Sequence, residues 1–218
     1  FIDTLSYLFV RGKGKRFLAF FAFALVPSLI LAYGLRTEAV LKNLFANPVY
    51  HNWSELFLAY FPSKRSFTTI FVGLIVFVLS TACISGAVIR HFRVGDFSAK
   101  QIGKSFNDYA LPAFLYTAMN LITYFVAYVL YSLFAYMWYT LTSPSAYIAL
   151  TIISFFVILS VLLYGVSSIT TWLPLMCIKG VYTPNSLSAA FYQSRGKQKY
   201  FLPGHIFATL ILMITGVI

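Results

Sequence analysis

An all-α, polytopic transmembrane bundle is the fold class this chain predicts, and three observations carry the prediction. Of its 218 residues, 60% are hydrophobic and only 10% charged, whereas a soluble domain carries about a quarter of its residues charged. The apolar residues form unbroken runs of roughly the 20 residues that cross a bilayer as helix. The short alternating segments of a membrane β-barrel are absent, and backbone polar groups in lipid are then satisfied only within a helix.

Five runs meet this description: Phe17 to Tyr33, Phe67 to Ile89, Leu111 to about Met137, Tyr147 to about Met176, and a fifth from near Phe201. The fifth is still apolar at Ile218, and the chain opens on Phe1, so the sequence reads as a piece of a longer protein. The first basic cluster and run lead into further spans, unlike a cleaved signal peptide.

The 16 basic residues set the expected orientation. Arg11, Lys13, Lys15 and Arg16 precede the first run; Arg90, Arg93, Lys100 and Lys104 separate the second from the third. Lys179, Arg195, Lys197 and Lys199 separate the fourth from the fifth. Only Arg36, Lys42, Lys64 and Arg65 fall on the other side. The positive-inside rule then places the N-terminus in the cytoplasm and the protein in the cell (inner or plasma) membrane. The net charge of +11 follows from topology and from attraction to anionic lipid headgroups. It does not call for nucleic acid, since the interleaved exposed aromatics of a single-strand-binding groove are missing. Arg11, Lys13, Lys15, Arg16, Arg195, Lys197 and Lys199 are the expected lipid contacts.

A repeat organises the chain. Arg11-Gly12-Lys13-Gly14-Lys15-Arg16-Phe17-Leu18 and Arg195-Gly196-Lys197-Gln198-Lys199-Tyr200-Phe201-Leu202 agree at six of eight positions. A looser copy, Gly103-Lys104 followed by Tyr109-Ala110-Leu111-Pro112, precedes the third run. The three Gly-Lys pairs lie 91 and 93 residues apart, which suggests one repeated unit. Asp3, Asp96 and Asn185 stand as N-caps of short cytoplasmic helices, and Gly12, Gly103 and Gly196 as their left-handed stops. The expected architecture is one transmembrane domain, 1–218, of three related hairpins at about 3–95, 96–184 and 185–218. The last is truncated, with a sixth span beyond Ile218. Leu187, Phe191 and Tyr192 are placed at headgroup level.

The segment Asn185 to Lys197 resembles the cytoplasmic segments of the YciC-like and glycerophosphodiesterase-membrane-domain families of bacterial and archaeal polytopic proteins. A polar cap, small residues and Gly-Lys stand before a span in each. The resemblance implies a six-span architecture and no reaction, because no phosphodiesterase residues are present to carry over.

The chemistry points the same way. The acids Asp3, Glu38, Glu55, Asp96 and Asp108 all lie in loops or near run ends, whereas coupled transporters place ionisable groups at membrane depth. His51, His91 and His205 lack metal-ligand spacing, and Cys83 and Cys177 read as small apolar packing. No residue is therefore assigned a catalytic, cofactor-binding or metal-ligating role. One polar stripe stands out: Thr117, Asn120, Tyr124, Tyr128 and Tyr131 in the third run, with Ser160, Tyr164, Ser168 and Thr171 in the fourth. Each set falls on one helix face. The stripe is expected to form interhelical hydrogen bonds, with a polar path between the spans as the alternative. Ala82 and Gly86 mark a close helix approach in the second run. Asn52-Trp53-Ser54-Glu55 forms a capping box opening an aromatic helix of Trp53, Leu56, Phe57, Tyr60 and Phe61 at the outer interface or against a partner. Taken together, the expectation is a non-enzymatic accessory or scaffold subunit that contacts other membrane subunits; a transporter or lipid-handling permease is the alternative.

Overall fold

The structure, a computed structural model, describes residues 25–31, 33, 45, 49–60, 64–94, 105–180 and 184–215. It is all-helical, with no strand among the described residues. Among the described residues, the helices with defined bounds follow in order: α1 (Trp53–Tyr60), α2 (Lys64–Val94), α3 (Ser105–Leu141), α4 (Pro144–Ile169), α5 (Trp172–Lys179), α6 (Pro184–Ser194) and α7 (Gln198–Thr215). Residues 25–31 and 33, in the first apolar run, are helical too.

Three stretches are long and apolar enough to cross a membrane: Phe67–Ile89, Phe106–Leu141 and Pro144–Ile178. They coincide with the second, third and fourth runs. The rest of the first run, and the basic residues Arg11, Lys13, Lys15 and Arg16, lie outside the described residues. So do Asp3, Gly12, Asp96 and Gly103, on which the first two repeat copies rest.

Local chemistry explains where the helices start and stop. Asn52 Oδ1 accepts from the N–H of Glu55 at 3.0 Å, and the Glu55 carboxylate reaches back to the N–H of His51 at 2.8 Å. The first bond satisfies an orphan donor of α1 as the sequence expects; the second differs from the expected capping box by reaching the residue before Asn52. Between α3 and α4 only Thr142 and Ser143 intervene. Pro144 keeps Ser143 extended, at φ −70 and ψ 158, and then occupies the first helical position, where its missing N–H costs nothing.

At the start of α6 the expected N-cap is displaced. The helix already includes Pro184, so Asn185 falls in its first turn and not at its cap. Proline sets the starting φ more firmly than an asparagine side chain does. The stop is as expected: Gly196 takes φ 74, a left-handed conformation that costs glycine little.

Packing centres on α3, which runs antiparallel between α2 and α4. Its 37 residues span about 55 Å. One buried cluster, Tyr50, Leu56 and Ala135 with Tyr128, Tyr136 and Tyr139 against it, joins α1 to the end of α3 near the Thr142–Ser143 turn. A second, Trp172, Leu175, Met176 and Ala190 with Leu115, Tyr116, Met119 and Leu187, joins α5 and α6 to the opposite part of α3. Nineteen helical rises separate Tyr116 from Ala135, roughly 28 Å and close to the hydrocarbon thickness of a bilayer. Between them α3 presents Leu121, Ile122, Phe125 and Val126 outward.

On α2, Ala82 and Gly86 are buried as expected of a close-approach face, and Gly73 marks a close contact on the same helix. A Cβ on Gly73 would lie 2.9 Å from Leu31 Cδ2 and 3.1 Å from Ile30 Cγ2. Any side chain larger than hydrogen at this level forces the Leu31 and Ile30 side chains to shift. Gly73→Leu is expected to lower stability by about 1–3 kcal/mol, the usual cost of overpacking, as a reduced melting temperature in detergent. Gly165→Leu, at a position with open space, serves as the matched control and is expected to leave it unchanged within error.

Candidate functional site: a polar seam at a broken helix

The fourth apolar run carries a local irregularity. α4 gives way to α5 at Thr170 and Thr171, which both keep right-handed helical dihedrals, and Pro174 supplies the cause. Proline has no N–H to offer the carbonyl four residues back, that of Thr170, and its ring crowds the same oxygen. Helical bonding resumes one residue on, with Leu175 N–H to Thr171 O at 3.2 Å.

Polar side chains gather at this break. Thr170 Oγ1 lies 2.8 Å from His205 Nε2 of α7 and 3.0 Å from the carbonyl of Val166. Tyr116 on α3 lies near the side chains of Asn120 and Thr170. Asn120 donates through Nδ2 to the carbonyl of Tyr116 at 2.8 Å, which fixes the orientation of its amide. Its Oδ1 is buried and has no partner. On the other side of the break, α6 is held by three bonds. Trp172 Nε1 donates to Ser186 Oγ at 2.9 Å, Thr171 Oγ1 to the carbonyl of Ala190 at 3.1 Å, and Ser194 Oγ to the carbonyl of Ser168 at 2.6 Å.

The sequence stripe is only partly gathered here. Thr117, Ser160 and Ser168 donate to carbonyls four residues back in their own helices, Ala113, Phe156 and Tyr164, at 2.8–3.0 Å. Tyr124 and Tyr164 face out of the bundle. Tyr128 donates to the carbonyl of Phe57 in α1, not to α4. Thr171 bonds to α6. Tyr131 does meet α4, its ring 5.9 Å edge-on from Phe155. A side-chain hydrogen bond joins α3 to α4, but from residues outside the stripe: Trp138 Nε1 to Ser154 Oγ at 2.9 Å. Asn120 itself bonds within α3, to the carbonyl of Tyr116. A hydroxyl or amide in a helix finds its nearest acceptor in the preceding turn, so a polar stripe does not by itself specify the facing helix.

The sequence reading also gave His205 no role. Its signal was present in the fifth apolar run, which opens near Phe201 and so contains His205. Similarly, Trp172-Leu173-Pro174 marks the break inside an otherwise uniform apolar run. At the far end of α3, α1 docks through Trp53 Nε1 to Ser132 Oγ at 3.1 Å and the N–H of Tyr50 to Tyr139 Oη at 3.1 Å. The aromatic helix therefore packs on its own chain.

Opposite signs are expected for two substitutions in the fourth run, one near its start and one in the seam. Thr151 on α4 is fully buried and its hydroxyl has no partner, so Thr151→Val removes a desolvated polar atom at nearly constant volume. It is expected to hold or raise the melting temperature, by up to about 1 kcal/mol. Thr170→Val removes the link to His205 and is expected to cost about 0.6 kcal/mol, the usual size of such a bond in a membrane. Thermal unfolding in one detergent measures both. No family model, no curated protein and no solved structure matches this chain, so the seam is interpreted from its own chemistry.

Proposed function

We propose that the protein is a non-enzymatic, multi-pass accessory or scaffold subunit of a larger membrane assembly, with its N-terminus and basic segments on the cytoplasmic side. The observation that carries this reading is how little the spans bury against one another. In the three candidate spans only 22%, 17% and 17% of the apolar window is buried. Phe114, Phe125, Ile153, Phe156, Val157 and Val161 all point outward. Such faces are covered by lipid or by helices of other subunits. Helices of a partner gain there through close packing of shapes, since lipid already satisfies their hydrophobicity.

The five-span count, the three-hairpin repeat and the likeness to six-span YciC-like proteins belong to this proposal. They draw support from the α6–Gly196–α7 unit, where a short helix, a left-handed glycine and a basic turn precede an apolar helix. The basic residues fit an anionic cytoplasmic leaflet.

A second reading, a lipid-handling permease, is favoured by one observation: the helix break at Thr170–Thr171 beside the unpaired Asn120 Oδ1 and the Thr170–His205 pair. Transporters place interrupted helices and polar side chains at their binding sites, and the missing helical bond at Thr170 is a mild form of that feature. Purification of the tagged chain in mild detergent, after photo-crosslinking from Phe156 and Val161, separates the two. The scaffold reading expects one or a few membrane proteins crosslinked in fixed ratio. Crosslinks to lipid alone, together with substrate-dependent flux in proteoliposomes lost in Asn120→Leu, would replace it with the permease.

A further inference from the structure

The turn between α6 and α7 presents cationic and aromatic side chains together on a fixed base. Arg195, Lys197 and Lys199 fall within five residues, and all three are exposed. Phe191, Tyr192 and Tyr200 beside them are exposed as well, Tyr192 to 76%. Among the described residues the carboxylates are Glu55, engaged in the cap of α1, and Asp108 in the first turn of α3. Neither forms an ion pair with this turn. Lys199 Nζ lies 5.3 Å from the centre of the Tyr200 ring, a cation–π contact that uses no hydrogen-bond acceptor.

The base is rigid for stated reasons. Ser194, immediately before the turn, is fully buried and bonded to the carbonyl of Ser168 at 2.6 Å. Ser186 and the carbonyl of Ala190 tie the rest of α6 to Trp172 and Thr171. The chain then reverses at Gly196 in a left-handed conformation. Lys197 N–H bonds back to Ser194 O at 2.8 Å, and Tyr200 N–H to Lys197 O at 2.9 Å. The backbone that carries the three cations is therefore already ordered, and binding an anion there loses little conformational entropy.

We infer that this turn is a headgroup site for one anionic phospholipid, with Arg195, Lys197 and Lys199 on the phosphate and Phe191, Tyr192 and Tyr200 against the glycerol and upper acyl region. The aromatic side chains decide for a lipid over a soluble anion. A phosphate ion in water leaves them exposed, whereas the membrane interface is where amphipathic rings are stable. Arg195 adds a planar donor pair that matches phosphate oxygens. The inference rests on the reading that these residues face an anionic leaflet, and it goes beyond diffuse attraction by assigning a defined, retained lipid.

Reconstitution of the full chain in nanodiscs of phosphatidylcholine and phosphatidylglycerol, followed by native mass spectrometry, counts the lipid that stays bound. The native chain is expected to retain one phosphatidylglycerol with a preference of about a hundredfold over phosphatidylcholine at low salt, three basic contacts at the usual strength. The combined variant Arg195→Gln, Lys197→Gln and Lys199→Gln is expected to bring that preference close to one. Tyr192→Ala is expected to lower retention several-fold while keeping the headgroup preference. Equal retention of the two lipids by the native chain, or a preference that survives in the combined variant, overturns the site. Displacement of phosphatidylglycerol by millimolar inorganic phosphate overturns the lipid assignment in favour of a soluble anion. Release of the chain from membranes by alkaline carbonate would instead remove the spanning reading itself, a separate outcome.

Discussion

Lipid removes the force that holds most proteins together. An apolar helix surrounded by acyl chains gains no hydrophobic free energy by touching another apolar helix, so cohesion must come from shape and from polar bonds. In this protein those bonds sit at two levels of α3. At one, Leu56 and Tyr50 close against Ala135, while Trp53 and Tyr128 tie α1 to α3 through Ser132 and the carbonyl of Phe57. At the other, Trp172, Met176 and Ala190 pack against Leu115 and Met119. The stretch between them, about one hydrocarbon thickness long, is left to face outward. Tyrosine and tryptophan suit these end positions, because each pairs an apolar ring with a polar tip.

Pro174 shapes the second level. By denying Thr170 its helical partner it parts α4 from α5 and opens the turn into which α6 fits. Three bonds of α6 reach residues 168–172, the stretch where Pro174 removes a helical bond. The same break lets Thr170 meet His205 and places the orphan Asn120 Oδ1 nearby. A single residue thus links the packing of the basic α6–α7 turn to the polar seam between the spans.

Much of the fold was legible in the sequence because run length in lipid allows few alternatives. The second run matched the candidate span Phe67–Ile89, and the cap at Asn52 and the stop at Gly196 followed from local backbone chemistry. The polar stripe was less legible. Ser160 and Ser168 share a face with Tyr164, yet each is satisfied by its own helix, so their spacing held no information about the neighbour. Asn185 lost its capping place to Pro184 for a reason visible only one residue upstream. His205 lay inside the fifth run already, but it was weighed only for metal-ligand spacing, and nothing in the sequence pairs it with Thr170, 35 residues away. The tie between Trp138 and Ser154 depends on the two-residue turn at Thr142–Ser143 setting the register of α3 against α4, which periodicity within either helix does not contain.

The account stands on α3 being fastened at two levels with a lipid-facing stretch between. Nitroxide scanning of α3 from Phe114 to Tyr139 in proteoliposomes reads this directly, by comparing collisions with oxygen and with a water-soluble nickel complex. Labels at Leu121, Ile122, Phe125 and Val126 are predicted to be mobile and oxygen-accessible but shielded from nickel, with labels at Ser132 and Ala135 immobilised. Strong nickel collisions at the four middle positions, or free motion at Ser132 and Ala135, would contradict it.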